Sequence, residues 1–264
     1  MTIGFIGLGN MAKAMISGII RKQLVNPEDI IGSAPTEAHR QALEETYGIR
    51  TTESNRQVVR EADIVFLAVK PIQLPVVLEE ITETVNEQQL VVSIVAGKTT
   101  KWIGEYFSKP VKIVRCMPNT PALVGEGCTA VSRNENVSDE ELMQVMNILH
   151  SFGTAEIVQE NLMDVVGGVS GSSPAYVFMF IEAMADAAVK GGMSRKQAYR
   201  FAAQAVLGSA KLLLETGRHP GELKDMVCSP GGTTIEAVEV LEKRGMRAAV
   251  MEAIDACIEK TSRL

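Results

Sequence analysis

The chain has 264 residues, of which 46% are hydrophobic and 22% are charged, a composition that argues against disorder and indicates one or two sizeable cores. Its formal net charge of -6, with no clustered Lys or Arg face, argues against nucleic-acid binding, and no apolar run reaches the roughly 18 residues of a membrane-spanning helix. The sequence has only three histidines, and its four cysteines are widely spaced, so neither a metal site nor a disulfide framework is predicted. The cysteines, which are Cys116, Cys128, Cys228 and Cys257, are expected to be reduced thiols in the cytoplasm.

The first motif is a glycine-rich turn between a predicted strand and a predicted helix. Thr2 to Ile6 is short and apolar, and the G-x-G-x-x-A sequence that follows opens a helix over Met11 to Arg21. Gly7 permits the tight turn, Gly9 lets the backbone approach a pyrophosphate, and Ala12 lets the helix pack closely on the strand. Free N–H groups at the helix N-terminus favour negative charge. The motif predicts dinucleotide binding; the alternative is an ordinary glycine turn.

The loop after the second strand, predicted near residues 29–32, indicates which dinucleotide binds. An NAD-binding fold usually carries an acidic residue here for the ribose hydroxyls. This loop instead offers Ser33, Thr36 and the nearby cation Arg40, with no carboxylate before Glu37. These groups suit a 2′-phosphate, so the loop favours NADPH over NADH. The alternative is a polar loop in which Arg40 is a solvated helix residue.

Predicted strands and helices alternate up to about residue 160, which indicates a mostly parallel sheet with helices on both faces. Further strands are predicted at Ile49 to Thr52, Asp63 to Val69, Leu90 to Val95, Val111 to Cys116, Cys128 to Ser132 and Thr154 to Val158. Further helices are predicted at Thr36 to Tyr47, Asn55 to Glu61, Thr100 to Phe107 and Ser138 to His150, the last with a capping box between Ser138 and Glu141. Residues 1–160 are therefore expected to form a Rossmann-type dinucleotide-binding domain.

Beyond Glu160 the pattern is helical only, which predicts an all-α domain over residues 161–264. Helices are predicted at Leu162 to Val169, Ser173 to Lys190, Ser194 to Thr216, Pro220 to Met226, Thr234 to Lys243 and Met246 to Ser262. The second and third of these carry apolar residues on more than one face, so partner helices must cover them. A homodimer with intertwined helices explains this better than the alternative, a well-buried monomeric core.

Segments at the predicted strand ends are candidates for contacts with the nicotinamide half of the cofactor. They are residues 68–71, residues 96–98 and the Asn119 amide. Lys70 and Lys98 have an alternative interpretation as solvated loop lysines. Asn55 is predicted either to cap its own helix or to point at the adenosine ribose.

The chain resembles the pyrroline-5-carboxylate reductase family over its whole length. The resemblance rests on residues 7–12, 68–71, 115–121, 171–176 and, most specifically, Ser229-Pro230-Gly231-Gly232-Thr233-Thr234. It implies an α/β fold with a helical dimerisation domain, and NAD(P)H-dependent reduction of 1-pyrroline-5-carboxylate to L-proline, the last step of proline biosynthesis. It also implies a cytoplasmic dimer that can assemble into a ring of five dimers. Ser33 matches a hydroxyl that relatives use, but Ala34 replaces a serine found in some of them, which weakens the NADP preference.

Site residues follow from the motifs and from the resemblance together. The expected cofactor contacts are Gly7, Leu8, Gly9, Asn10, Met11, Ser33, Asn55, Ala68, Val69, Lys70, Pro71, Ala96, Gly97 and Asn119. The expected substrate contacts are Val227, Ser229, Gly231, Gly232, Thr233 and Thr234. Backbone N–H groups of residues 229 and 231–233 suit a substrate carboxylate. The resemblance implies that the Thr234 hydroxyl forms a hydrogen bond with the imine nitrogen and is therefore catalytic. The alternative is that Thr233 or Thr234 only caps the next helix.

A cyclic imine protonates readily, so its reduction needs no strong side-chain acid, and none is evident in the C-terminal part. A β-hydroxyacid dehydrogenase is the first rival, but it needs a lysine on the first long C-terminal helix, and Gly167 to Met184 contains none. The second rival is a dinucleotide-binding regulatory protein without turnover, which would not require the second glycine-threonine loop.

Overall fold

The computed structural model describes residues 1–263, and their contacts divide the chain into two compact units. The first comprises residues 1–172 together with residues 257–263, and the second comprises residues 173–256. The first unit is built on an eight-stranded sheet and the second is entirely helical. This confirms the predicted fold class.

The sheet of the first unit has the strand order β3-β2-β1-β4-β5-β6-β7-β8. Its strands are β1 Ile3–Ile6, β2 Ile30–Ser33, β3 Arg50–Thr52, β4 Ile64–Leu67, β5 Leu90–Ser93, β6 Lys112–Met117, β7 Gly127–Arg133 and β8 Gly153–Ile157. All neighbours pair in parallel except β6 and β7, which are antiparallel. The order reverses direction between β1 and β4, and in such sheets ligands bind beyond the carboxyl ends of the strands at this point.

Helices cover both faces of the sheet, because alternate side chains of the buried strands point to opposite sides. They are α1 Asn10–Arg21, α2 Glu37–Tyr47, α3 Asn55–Glu61, α4 Leu74–Ile81, α5 Thr100–Gly104, α6 Asp139–Leu149 and α7 Met163–Val166. Phe5 and Phe66 stack in one core with their ring centroids 5.0 Å apart, while Val65 and Leu67 pack in the other core.

The predicted capping box of α6 is confirmed, since Ser138 and Glu141 each accept a hydrogen bond from the other's backbone N–H. Three helix predictions need correction. Helix α4 was missed, the helix from Thr100 ends at Gly104, and a π-helix over Gly167–Gly171 replaces the predicted end of the helix from Leu162.

The second unit contains the helices of the predicted all-α part from Ser173 onward, whereas the segment over residues 161–172 belongs to the first unit. They are α8 Ser173–Lys190, α9 Arg195–Thr216, α10 Pro220–Val227, α11 Thr233–Lys243 and α12 Met246–Thr261, the last of which continues beyond the unit. Large apolar side chains on α8 and α9 remain exposed, for example Phe178 at 65% and Phe201 at 66%. The alternative of a well-buried monomeric core is therefore wrong. None of the helices within residues 1–263 is long and apolar enough to cross a membrane.

Candidate functional site

The glycine turn between β1 and α1 is shaped by two different constraints. Gly7 has φ +94°, and a Cβ placed on it would lie 2.7 Å from the carbonyl oxygen of Ala68, so the protein itself requires glycine there. Gly9 has φ -73° and ψ -173°, and a Cβ placed on it would meet nothing within 4 Å. Because neither strain nor a neighbour demands glycine at position 9, the open space above it fits the approach of a ligand.

The start of α1 is suited to an anion. Gly9 is its N-cap and supplies no side-chain hydrogen bond, and the first turn carries no acidic residue. The first N–H groups of a helix have no partner within the helix, and they carry the positive end of its dipole. A pyrophosphate at this position would receive these donors without repulsion from a carboxylate in the turn.

A cavity of about 820 Å³ opens beside this turn, at the carboxyl ends of β1, β2 and β4. Its lining residues are Gly7, Leu8, Gly9, Ser33, Ala34, Pro35, Thr36, His39, Glu53, Asn55, Ala68, Val69, Lys70, Gln73 and Val77. The volume is in the range of small-molecule and cofactor sites. The wall thus brings together eight of the residues expected to contact the cofactor. The expected residues outside the wall are Asn10, Met11, Pro71, Ala96, Gly97 and Asn119.

Ser33 and Asn55 meet at one end of the cavity. The Ser33 hydroxyl donates to Oδ1 of Asn55 at 2.6 Å, and Nδ2 of Asn55 donates to Oε2 of Glu80 at 2.7 Å. The prediction that Asn55 caps its own helix is wrong, because Ser54 is the N-cap and accepts from the N–H of Gln57. The other interpretation, in which Asn55 faces the cofactor ribose, remains a prediction.

The loop after β2 is held by two side chains of α2. Nη1 of Arg40 donates to the carbonyl oxygens of Ala34 and Pro35 at 2.8 and 3.2 Å, so it is not simply a solvated helix residue. Nε2 of His39 lies 2.9 Å from the carbonyl oxygen of Leu8, and it can bond that oxygen only as a donor. His39, for which no role was predicted, thereby fixes the glycine turn against α2.

Two side chains near the ends of β5 and β6, Lys98 and Asn119, make contacts within the protein. The Asn119 amide donates to the carbonyl of Ser170 at 3.1 Å and accepts from the N–H of Cys128 at 2.8 Å. The amide therefore holds the backbone at two points, while its second N–H as a dinucleotide contact remains a prediction. Lys98 lies over the ring of Trp102 at 4.6 Å, while Lys70 is exposed at the rim of the cavity.

Arg115, the first residue of the 115–121 motif, is a buried cation that holds several elements together. Its side chain is 4% exposed and forms ion pairs with Asp164 at 3.0 Å and Glu160 at 3.7 Å. The Glu160 carboxylate also accepts from the N–H and the hydroxyl of Thr100 at 2.6 and 2.9 Å. Together these contacts tie the end of β6 to the start of α5 and to α7. No sequence signal could have found them, because the partners are 45 or more residues from Arg115.

The loop over residues 229–234 connects α10 to α11. Gly231 has φ +68°, a conformation that favours glycine. The N–H of Gly232 donates to the carbonyl of Ser229 at 3.0 Å, which corrects the prediction that this N–H is free for a carboxylate. The N-cap of α11 is Gly232 without a side-chain hydrogen bond, so the alternative that Thr233 or Thr234 caps the helix is wrong.

Within the described residues, the N–H groups of Thr233 and Thr234 and the Thr234 hydroxyl have no hydrogen-bond partner. Val227, at the end of α10, is 60% exposed. Two nearby carboxylates are paired at the surface, Glu222 with Arg218 and Asp225 with Lys224. The loop is therefore an accessible set of donors beside an apolar side chain, a combination that can hold a small carboxylate-bearing molecule.

No group of three His, Cys, Asp or Glu side chains in residues 1–263 is arranged to hold a metal ion.

Both parts of the chain match models of known protein families. Residues 160–264 match the family model for pyrroline-5-carboxylate reductase dimerisation, and residues 2–97 match the model for NADP oxidoreductase, coenzyme F420-dependent. The chain is 56% identical to pyrroline-5-carboxylate reductase from Escherichia coli K12 and 45% identical to that from Methanosarcina acetivorans, in each case over 99% of this chain and 97% of the relative. The crystal structure of Plasmodium falciparum pyrroline carboxylate reductase with NADP bound matches with a TM-score of 0.91 at 33% identity, covering 99% of this chain and 97% of that one. The chain belongs to the pyrroline-5-carboxylate reductase family.

Proposed function

We propose that this chain catalyses the NAD(P)H-dependent reduction of 1-pyrroline-5-carboxylate to L-proline, the last step of proline biosynthesis. The observation that carries the proposal is the 229–234 loop, where two N–H groups and the Thr234 hydroxyl have no partner among residues 1–263. Membership of the family, together with the lack of lysine between Gly167 and Met184, favours imine chemistry over the alcohol chemistry of a β-hydroxyacid dehydrogenase.

The cofactor is NADP(H) by preference, with NAD(H) as the second choice. The cavity beside the glycine turn fits a dinucleotide: the α1 N-terminus with the open space at Gly9 suits the pyrophosphate, and Ser33 and Asn55 suit the adenosine ribose. The related Plasmodium falciparum structure contains NADP. The bound nicotinamide supplies the hydride, and the protein supplies position and electrostatics. The proposal also includes contacts from residues outside the cavity wall, which are Asn10, Met11, Pro71, Ala96, Gly97 and Asn119.

The substrate carboxylate binds the N–H groups at the start of α11. We assign it to the backbone of Ser229, Gly231, Thr233 and Thr234, where the helix dipole adds a favourable field. Gly232 contributes by its lack of a side chain, since a Cβ on it would lie 2.6 Å from the Ser229 hydroxyl oxygen. Val227 supplies an apolar wall for the ring.

Thr234 orients the ring nitrogen. The imine nitrogen is protonated before reduction, so its N–H donates to the Thr234 hydroxyl oxygen while the imine carbon accepts the hydride. The carbon–nitrogen double bond becomes a single bond and the proton stays on nitrogen, so no side-chain acid has to deliver one. Catalysis then requires the imine carbon to be held about 3 to 3.5 Å from the hydride donor.

The proposed division of labour follows the predicted domains, with the cofactor on residues 1–160 and substrate binding and dimerisation on residues 161–264. The match to a dimerisation family model supports a homo-oligomer. The proposal also includes further assembly into five dimers. It includes a cytoplasmic location, which the four unpaired thiols favour. Light scattering of the purified protein distinguishes ten subunits from two.

The decisive experiment follows NADPH oxidation with 1-pyrroline-5-carboxylate and identifies L-proline chromatographically. Stoichiometric proline formation is expected. A folded oligomer that binds NADPH but forms no proline would reject the enzymatic function and favour the regulatory rival.

A further inference from the structure

A chain of hydrogen bonds begins behind the wall of the dinucleotide cavity and ends at its surface. Glu80 on α4 accepts from Nδ2 of Asn55 at 2.7 Å, and Oδ1 of Asn55 accepts from the Ser33 hydroxyl at 2.6 Å. Ser33 and Asn55 line the cavity, whereas Glu80 does not. Glu80 therefore acts on a ligand only through the two residues in front of it.

The direction of this chain is fixed by Glu80. A carboxylate only accepts hydrogen bonds, so Asn55 must turn its amide nitrogen towards it. The amide oxygen then faces Ser33 and can only accept. The other neighbour of the Ser33 hydroxyl is also an acceptor, the carbonyl oxygen of Phe5 at 3.5 Å. The single hydroxyl proton is consequently held inside the protein, and Ser33 offers only lone pairs to a ligand.

The orientation of the Ser33 hydroxyl discriminates between the adenosine ribose of NADH, which has a free 2′-hydroxyl, and that of NADPH, which carries a 2′-phosphate. A 2′-hydroxyl has a proton that it can donate to Ser33 Oγ. A 2′-phosphate is largely unprotonated at neutral pH and offers oxygens where a donor is needed, and it also brings negative charge towards the Glu80 carboxylate. We propose that Glu80 is a specificity-determining residue that keeps the site open to NADH and limits its preference for NADPH, by fixing the orientation of Asn55 and Ser33. This inference rests on the proposed cofactor site.

Replacement of Glu80 by glutamine tests the inference. In Glu80→Gln the side chain can donate as well as accept, so the Asn55 amide can reverse and the Ser33 proton becomes available to a phosphate. Glu79→Gln is the matched control, because it removes the same charge from the adjacent, exposed position of α4.

The probes are adenosine 2′,5′-bisphosphate and adenosine 5′-monophosphate, which differ only in the 2′-phosphate, with binding measured by calorimetry in the absence of substrate. Glu80→Gln is expected to raise the affinity ratio of bisphosphate to monophosphate about fivefold, as one net hydrogen bond gives. Glu79→Gln should leave the ratio near the wild-type value. An unchanged ratio in Glu80→Gln, or an equal rise in both variants, would overturn the proposal.

Two further variants separate orientation from general effects. Glu80→Ala also releases the Asn55 amide and should raise the ratio, so it replaces Glu80→Gln if that protein does not fold. In a Ser33→Ala background the effect of Glu80→Gln should vanish, and persistence of the full effect would show that the hydroxyl is not involved. Binding of the two adenosine phosphates is independent of turnover. An unchanged affinity ratio would therefore leave the proposed reductase activity intact, and a lack of turnover would leave the binding test of Glu80 valid.

Discussion

The two glycines of the N-terminal turn provide a matched pair of substitutions with opposite expected effects. Gly7→Ala places a Cβ at φ +94° and 2.7 Å from the Ala68 carbonyl oxygen. The conformation costs about 1–2 kcal/mol and the contact about 1–3 kcal/mol, so the free energy of unfolding should fall by about 2–5 kcal/mol. Gly9→Ala meets no protein atom within 4 Å. Alanine is a poorer N-cap than glycine, but it also reduces the conformational entropy of the unfolded chain. Because these two effects oppose each other, the free energy of unfolding of Gly9→Ala should stay within about 0.5 kcal/mol of wild type.

Cofactor binding should follow a different pattern. The Cβ introduced in Gly9→Ala occupies the space proposed for the pyrophosphate, so NADPH should bind at least about tenfold more weakly, a loss of ~1.4 kcal/mol. Gly104→Ala is the control, since its Cβ would make an ordinary contact of 3.7 Å with Ile113. The measurements are urea unfolding followed by circular dichroism and titration of NADPH fluorescence.

Two results would refute the reasoning. Wild-type affinity in Gly9→Ala would mean that no ligand phosphate approaches this backbone, and strong destabilisation of the same variant would mean that the space above Gly9 is not open. A stable Gly7→Ala would contradict the strain argument alone.

Three other changes test separate parts of the site and fold. Thr234→Ala should lower kcat/KM for the imine about 5- to 30-fold, or ~1–2 kcal/mol, with NADPH binding unchanged; wild-type kinetics would remove its catalytic role. Ala34→Ser adds a donor to the loop after β2 and should raise the ratio of kcat/KM with NADPH to that with NADH, and an unchanged ratio would count against a 2′-phosphate at this loop. Burial raises the pKa of Glu141, but hydrogen bonds from Lys112 and Ser138 lower it more, so its net pKa lies below that of a free glutamate. The stability that Glu141 contributes is thus present above the pKa of an unfolded-state glutamate and is lost as the pH falls through the lower folded-state pKa. The free energy of unfolding, measured with urea, should therefore fall less on acidification for Glu141→Gln than for wild type.

The sequence predicted the fold class because the signals that define it are local. Alternating buried strands and amphipathic helices, and the Ser138 capping box, need only neighbouring residues. Helix α4 was not predicted, although its Pro75 is compatible with a helix. Pro75 lies in the first turn of the helix, where no backbone donor is required.

The site was predictable in its backbone features and not in its side-chain partners. Adjacent Ser54 and Asn55 are both good caps, and the choice of Ser54 frees Asn55 for partners 22 and 25 residues away. Glu80 stands in no motif, and its contact with Asn55 exists only because α4 packs beside α3. The same holds for the Asn119 amide, whose Ser170 partner is 51 residues away.

The apolar surface of α8 and α9 makes oligomerisation part of the stability of the helical unit. Burying a Phe side chain completely contributes about 1.5–3 kcal/mol, and Phe178 and Phe201 leave roughly two thirds of their surface exposed, so each forgoes most of that amount in a single chain. A unit of this size buries only a limited share of its own surface, so a second copy is the natural source of the missing contacts. Only the folded helical unit can associate through this surface. The free energy of unfolding of the helical unit must therefore rise with protein concentration.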